Sequence, residues 1–256
     1  MEQFDVIVAG GGIAGSTSAA ALAQKGLKVL LCEVGLPSTK RLAGELLHPP
    51  GYESLDKLGL ADALVDAGCV PVYGFAVFRS ADDPGNVLSY SEIPGGRPTG
   101  IALEHGKLTR VLLLQLEKHP GVTVWNNARV TDADLDAARP VATIKRDGEI
   151  VQVECDLVVS AEGRTSKLRE RAEIATREEP PFRMLGWKIP GGRLPFPGYG
   201  HVFIGGPTAI LAYQVSVDEV RIMFELELED GPDVSEALLF ALPEPFRSDV
   251  RHAMKT

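Results

Sequence analysis

The sequence has 256 residues, 45% hydrophobic and 24% charged, enough for one large or two modest domains at roughly 100 to 200 residues each and for a buried core. Its formal charge of −9, with no block of Lys and Arg, excludes nucleic acid as the main partner, because phosphate binding needs a basic face. Three cysteines, Cys32, Cys69 and Cys155, form no C-x-x-C pair, which argues against a disulfide framework and for a reducing, cytoplasmic setting.

In chain order, Val6-Ile7-Val8 is a continuous apolar run, as in a strand covered on both faces of a parallel sheet. It breaks into Gly10-Gly11-Gly12-Ile13-Ala14-Gly15, with Gly10, Gly12 and Gly15 at G-x-G-x-x-G spacing. The first glycine permits a tight turn, the second lets backbone approach a pyrophosphate, and the third lets helix and strand pack closely. A helix from Ser16 to Gln24 follows, stopped by Gly26, and then a strand from Lys28 to Cys32 ending in Glu33. An acid about 20 residues beyond the glycines is where such a fold places the carboxylate that receives ribose hydroxyls. The polar loop from Gly35 to Arg41 lies at the ligand-binding edge of the sheet, so Arg41 is either a cofactor contact or a solvated loop cation.

Helical patterns cover Tyr52–Leu60 and Ala61–Ala67, with Gly59 and Gly68 as stops. Val72 to Ile93 alternates and turns at Asp82–Asn86, which predicts a β-hairpin in a second layer. Leu108–Leu116 returns to a buried helix that carries Arg110, and Val122–Trp125 is a short strand. Val141–Lys145 and Ile150–Glu154 form a hairpin across Asp147-Gly148. Asp156–Ser166 repeats the opening logic, a buried strand and a small-residue turn before the helix Lys167–Ala172, and its end is expected beside the first glycine loop. Four further antiparallel strands, Met184–Ile189, Gly200–Ile204, Ile210–Val215 and Glu219–Glu227, precede helices near Ser235–Ala241 and Pro245–Met254. Phe75, Phe78, Trp187, Phe203, Tyr213 and Phe224 are the aromatic residues of this β-layer, either plain sheet core, since period-two apolar residues bury one face with or without a ligand, or the lining of a ligand face. The first strand begins within a few residues of Met1, so no signal peptide is expected. No apolar run approaches the ~18 residues of a membrane span, and peripheral membrane contact leaves no readable signal.

Asp5-Val6-Ile7-Val8, the glycine turn and Glu33, together with Asp156-Leu157-Val158-Val159-Ser160-Ala161-Glu162-Gly163-Arg164-Thr165-Ser166 and Arg169, resemble the FAD-dependent aromatic hydroxylases of the p-hydroxybenzoate hydroxylase type. Arg41–Pro49, Leu58-Gly59-Leu60 and Glu104–Leu108 are similar to the squalene-epoxidase branch. The resemblance implies an α/β fold, a Rossmann-like FAD-binding domain over residues 1–71 and 99–176, with an inserted, mainly antiparallel β substrate layer over 72–98 and 177–256. It implies FAD as cofactor, NADPH or NADH as transient reductant, and oxygen transfer through a flavin C4a-hydroperoxide to hydroxylate or epoxidise an apolar or aromatic small molecule. Gly10, Gly12, Ile13, Ala14 and Gly15 would then take the pyrophosphate, Glu33 the ribose, Arg41 and Arg110 the phosphate and ribityl side, and Glu162 with Gly163 the second motif.

Two departures from the family pattern stand out. Glu162 replaces the family's aspartate, one methylene longer, so its usual contact must shift or pass through water. The family's third motif, a Gly-Asp pair following an apolar strand, has no counterpart before Thr256, and Gly231-Pro232-Asp233 lacks that strand. A second chain or a further C-terminal segment would have to complete the flavin site. A reductase of the geranylgeranyl-reductase type and a truncated, non-catalytic FAD- or partner-binding protein are therefore the alternatives. No protein nucleophile is required, since the cofactor carries the chemistry. No G-x-S-x-G elbow and no metal-binding spacing occurs among His48, His105, His119, His201 and His252, so no metal is expected. His48 and Glu45 are the catalytic candidates, the former against the ordinary role of a satisfied polar histidine, the latter against helix capping or solvation.

Overall fold

The computed structural model describes residues 2–35, 45–134, 137–177, 182–227 and 234–255. The chain divides into two compact units, one of residues 1–41, 55–67 and 106–177, the other of residues 42–54, 68–105 and 178–256. Residues 42–54, 68–71 and 99–105, expected in the nucleotide-binding domain, thus group with the second unit. No described helix is long and apolar enough to cross a membrane.

The first unit is built on a parallel sheet in the order Leu157–Ser160, Val6–Ala9, Val29–Glu33, Val122–Asn126. Val6–Ala9 is buried at every residue, which is why it reads as an unbroken apolar run rather than an alternating one. The helix Ile13–Gln24 starts three residues earlier than its alanine-rich pattern suggests, because Gly12 serves as its N-cap. It buries Ala19, Ala20 and Ala23, and Gly26 ends it with φ +85°. A second sheet runs in the order Glu2–Gln3, Glu149–Glu154, Val141–Arg146, Ala128–Asp134. Its hairpin turn places Asp147 and Gly148 at φ 48° and 93°, the paired positive φ values that match a tight turn to strand twist. Phe4, Ile7, Leu30, Trp125, Ile144 and Val153 belong to one buried cluster. The α/β, Rossmann-like fold expected from the opening motif is present, whereas the strand Ala128–Asp134 has no counterpart among the expected elements.

The second unit carries a six-stranded sheet in the order Phe182–Pro190, Glu219–Glu227, Ile210–Gln214, Gly200–Phe203, Gly74–Phe78, Asn86–Ser89. Gly74–Phe78 and Asn86–Ser89 form the expected hairpin. Gly200–Phe203, expected to be antiparallel throughout, instead pairs parallel with Gly74–Phe78. These two strands are far apart in sequence, and only a long crossover, never a hairpin, can bring strands together in parallel. Val234–Leu239 and Phe246–Ala253 close one sheet face, where Phe78, Phe203, Phe224, Leu238, Phe246 and Val250 are buried with Trp187 against them. Phe75 and Tyr213 lie instead in the cluster of Val72, Tyr90 and Met223. The six aromatics do not share one surface, because successive strand residues point to opposite faces.

His201 is fully buried between Phe78 and Phe203. Its Nε2 accepts from the Phe196 N–H at 3.1 Å, and its Nδ1 pairs with the Tyr199 carbonyl at 3.0 Å. Burial lowers its pKa from 6.5 to about 4, against the opposing pull of the Tyr199 carbonyl. The unfolded chain therefore binds the proton first. The stabilisation is complete above pH 6.5 and lost as pH falls towards 4, a swing on the order of 3 kcal/mol. Urea unfolding at pH 7 and pH 4.5 is expected to show this slope, reduced by that amount in His201→Gln. Equal slopes for the two proteins would contradict it.

Candidate functional site

The carboxyl ends of Val6–Ala9, Val29–Glu33 and Leu157–Ser160 meet at the glycine turn. Gly10 donates its N–H to the Cys32 carbonyl at 2.8 Å, and the Ala161 N–H reaches the Ala9 carbonyl at 2.8 Å. Gly10 has φ +102°, and a Cβ there would stand 2.5 Å from the Ala161 oxygen. A Cβ on Gly15 would collide with the Gly10 carbonyl oxygen. Both glycines are therefore required by the polypeptide itself.

Gly12 differs. A Cβ built on it meets nothing within 4 Å, and it gives the helix Ile13–Gln24 no side-chain cap. The first N–H groups of a helix have no acceptor within it, and Gly12, at the head of those from Ile13, Ala14 and Gly15, borders the cleft with nothing standing where its Cβ would be. Such a helix start favours a phosphate through its N–H groups and its dipole.

Glu33 fastens the turn to the second strand. Its Oε2 accepts the Gly11 N–H at 2.5 Å and its Oε1 the Gly35 N–H at 3.0 Å. A carboxylate has about four acceptor positions, so two backbone donors leave capacity for ribose hydroxyls. Beneath the turn, Cys32 is buried, which raises its thiol pKa to about 12 despite the nearby Arg146 charge. It is a packing residue.

Glu162 turns away from the glycine loop. Its Oε2 accepts from Ser166 Oγ at 2.7 Å, the Leu168 N–H at 3.0 Å and Ser160 Oγ at 3.3 Å. The extra methylene lets this carboxylate reach the start of the helix Lys167–Arg171, so the side chain satisfies that helix while residues 161–163 border the cleft. Gly163 has φ +79°.

These residues enclose a cleft of about 290 Å³, bordered by Gly10, Gly12, Glu33, Glu162 and Gly163 and, on the far side, by Ala128, Arg129 and Val130. That far side went unread in the sequence: Ala128 and Val130, both buried, begin a strand alternation that is lost before the next buried residue, Ala133. Arg110 stands exposed on the helix His105–Leu116, outside the cleft lining, because Leu108, Leu112 and Leu116 set that helix's buried stripe. Arg41 lies outside the described residues.

The two catalytic candidates fall in the second unit. Glu45 is neither solvated nor a helix cap. It is fully buried, and its carboxylate takes two hydrogen bonds from Arg221, Nε at 2.7 Å and Nη2 at 2.6 Å, with Tyr213 Oη at 3.4 Å. Burial, then the Glu45 charge, push the Tyr213 phenol up. Arg221 is itself fully buried, with Nη1 unpartnered. Nothing in the sequence pattern singled out Arg221, which occupies an inward position of an ordinary strand. His48 is exposed, stacks on Phe75 at 5.7 Å, and shares a 2.6 Å hydrogen bond between Nδ1 and the Tyr90 hydroxyl.

Residues 3–189 match the FAD binding domain family. The chain belongs to that family. FAD is its cofactor, and the uncapped helix start, the open Gly12 position and the spare acceptor capacity of Glu33 fit the adenosine and pyrophosphate of FAD. Residues 154–244 also match the squalene epoxidase family, in keeping with the branch that the sequence resembles. Squalene epoxidase erg1 of Aspergillus fumigatus is 31% identical over 243 residues, covering 90% of this chain and 48% of that protein. Its counterpart in Schizosaccharomyces pombe is 29% identical over 264 residues, covering 99% and 57%. The chain spans about half the length of these relatives. In fold, this FAD-binding chain is similar to P. aeruginosa PqsL in complex with 2-aminobenzoylacetate, with a TM-score of 0.79 at 19% identity over 99% of this chain and 71% of that one.

Proposed function

We propose that the chain binds FAD at the glycine turn and acts as a flavin-dependent monooxygenase on an apolar small molecule, of the kind squalene epoxidases use. The observation that carries this reading is the extent of the squalene epoxidase match, which continues from residue 154 to residue 244, past the second nucleotide motif and into the six-stranded sheet. Dinucleotide binding alone would not extend a likeness there. Gly10, Gly12 and the N–H groups of Ile13, Ala14 and Gly15 hold the pyrophosphate, and Glu33 holds the ribose. The main chain of Glu162 and Gly163 borders the cofactor, and Arg41 serves its phosphate side. Bound FAD supplies the redox chemistry, taking electrons from NADPH or NADH and passing them to dioxygen. The protein's own residues orient the cofactor and exclude water from it.

The test is incubation of the chain, together with the segment or second chain that completes the flavin site, with FAD, NADPH and squalene under ¹⁸O₂, read by mass spectrometry. Incorporation of one ¹⁸O atom, dependent on reductant, is expected. Saturation of a double bond with no oxygen uptake would replace the monooxygenase by a flavin reductase.

A further inference from the structure

A second cleft, of about 470 Å³, adjoins the nucleotide cleft, and Val34 and Arg129 border both. Lys145 also lines it, and the register of Ala128–Asp134 against Val141–Arg146 sets Arg129 directly opposite Lys145. Like charges placed opposite on neighbouring strands repel. Both residues are exposed, and neither side chain has a hydrogen-bond or ion-pair partner among the described residues. This is notable in a chain with 35 acidic residues against 26 basic ones.

We propose that Arg129 closes over the face of the cofactor's adenine base and that Lys145 holds it there by repelling it from the neighbouring strand. The inference rests on the FAD reading above. With the pyrophosphate at the glycine turn and the ribose at Glu33, the base is the next group outward, and the adjoining cleft there is lined by apolar Val34 and by Arg129, together with Asn127, Lys145, Asp147 and Gly148. A flat aromatic ring accepts an apolar contact on one face and a guanidinium on the other. The pair therefore makes Arg129 a specificity residue for adenine-bearing flavin over its adenine-free analogue.

Binding of FAD, AMP and riboflavin 5′-phosphate is measured by calorimetry for the chain, Arg129→Ala and Lys145→Glu. Arg129→Ala is expected to weaken FAD and AMP about 3- to 10-fold, as for a partly exposed cation over a ring, and to leave riboflavin 5′-phosphate unchanged. Lys145→Glu keeps Arg129 but offers it a carboxylate across the strand pair. It is expected to weaken AMP by a similar factor while the melting temperature holds or rises, which separates withdrawal of the guanidinium from damage to the fold. Unchanged AMP affinity in either variant overturns the proposal and leaves the cofactor reading intact. A preference for 2′,5′-ADP over ADP that both variants lose overturns it too, since the cations would then read a phosphate. Failure of the unaltered chain to bind FAD or AMP overturns the cofactor reading and, with it, the role of Arg129.

Discussion

Gly15→Ala is expected to destabilise the protein by about 3 kcal/mol in urea unfolding, at the upper end of overpacking penalties, although alanine is the better helix former by about 1 kcal/mol. The sign reverses because the added Cβ would strike the Gly10 carbonyl oxygen and lie 3.3 Å from the Ala161 Cβ. The oxygen is backbone, held in a turn that also receives the end of Leu157–Ser160, so relief requires moving two strand ends together. Gly12→Ala should cost less than about 1 kcal/mol, the difference between glycine and alanine at an N-cap. Its φ of −67° suits any residue and its surroundings are empty. One motif thus contains glycines needed for folding and a glycine spared for a ligand. Similar stability losses for both variants would contradict that division.

Arg221→Met is the second large effect. It leaves the Glu45 carboxylate fully buried with, among the described residues, a 3.4 Å contact to Tyr213, and removing one member of a buried ion pair costs about 3 to 5 kcal/mol. Glu45→Leu should cost a comparable amount by stranding the guanidinium. The double variant should recover most of the loss, since replacing both partners by apolar groups is near neutral or stabilising. A double-mutant cycle by denaturant midpoint measures the coupling, and simple additivity of the two losses would show that the pair does not act as a unit. In the structure Glu45 ties the chain just before Leu46–Leu47 to the strand Glu219–Glu227 through Arg221.

The parts legible in sequence were those whose signal is local. Val6–Ala9 is buried on both faces and so shows as an apolar run, Gly10 and Gly15 are dictated by backbone collisions, and Asp147-Gly148 needs positive φ. Some of the illegible parts depend on partners distant in sequence, others on local detail that the pattern does not carry. Arg221 meets Glu45 across 176 residues, and a single arginine in a strand announces no such contact. Glu162 looked like a shifted cofactor ligand because the motif fixes its position, while its orientation is decided by Ser166 and the Leu168 N–H. The strand Ala128–Asp134 was hidden by its bulge between Val130 and Asp132, which breaks the alternation a strand should show. The parallel entry of Gly200–Phe203 was hidden for another reason, since pairing direction is a property of the connection and not of the strand.

The most direct test of the account is equilibrium titration of FAD into the purified chain and into Gly12→Val, followed by flavin fluorescence with unfolding curves run alongside. One FAD per chain is expected to bind the unaltered protein, with at least a 100-fold loss in Gly12→Val, on the order of 3 kcal/mol, and little change in the unfolding midpoint. No FAD binding by the folded chain, or equal binding by Gly12→Val, would contradict the assignment of the glycine turn as the site that holds the cofactor.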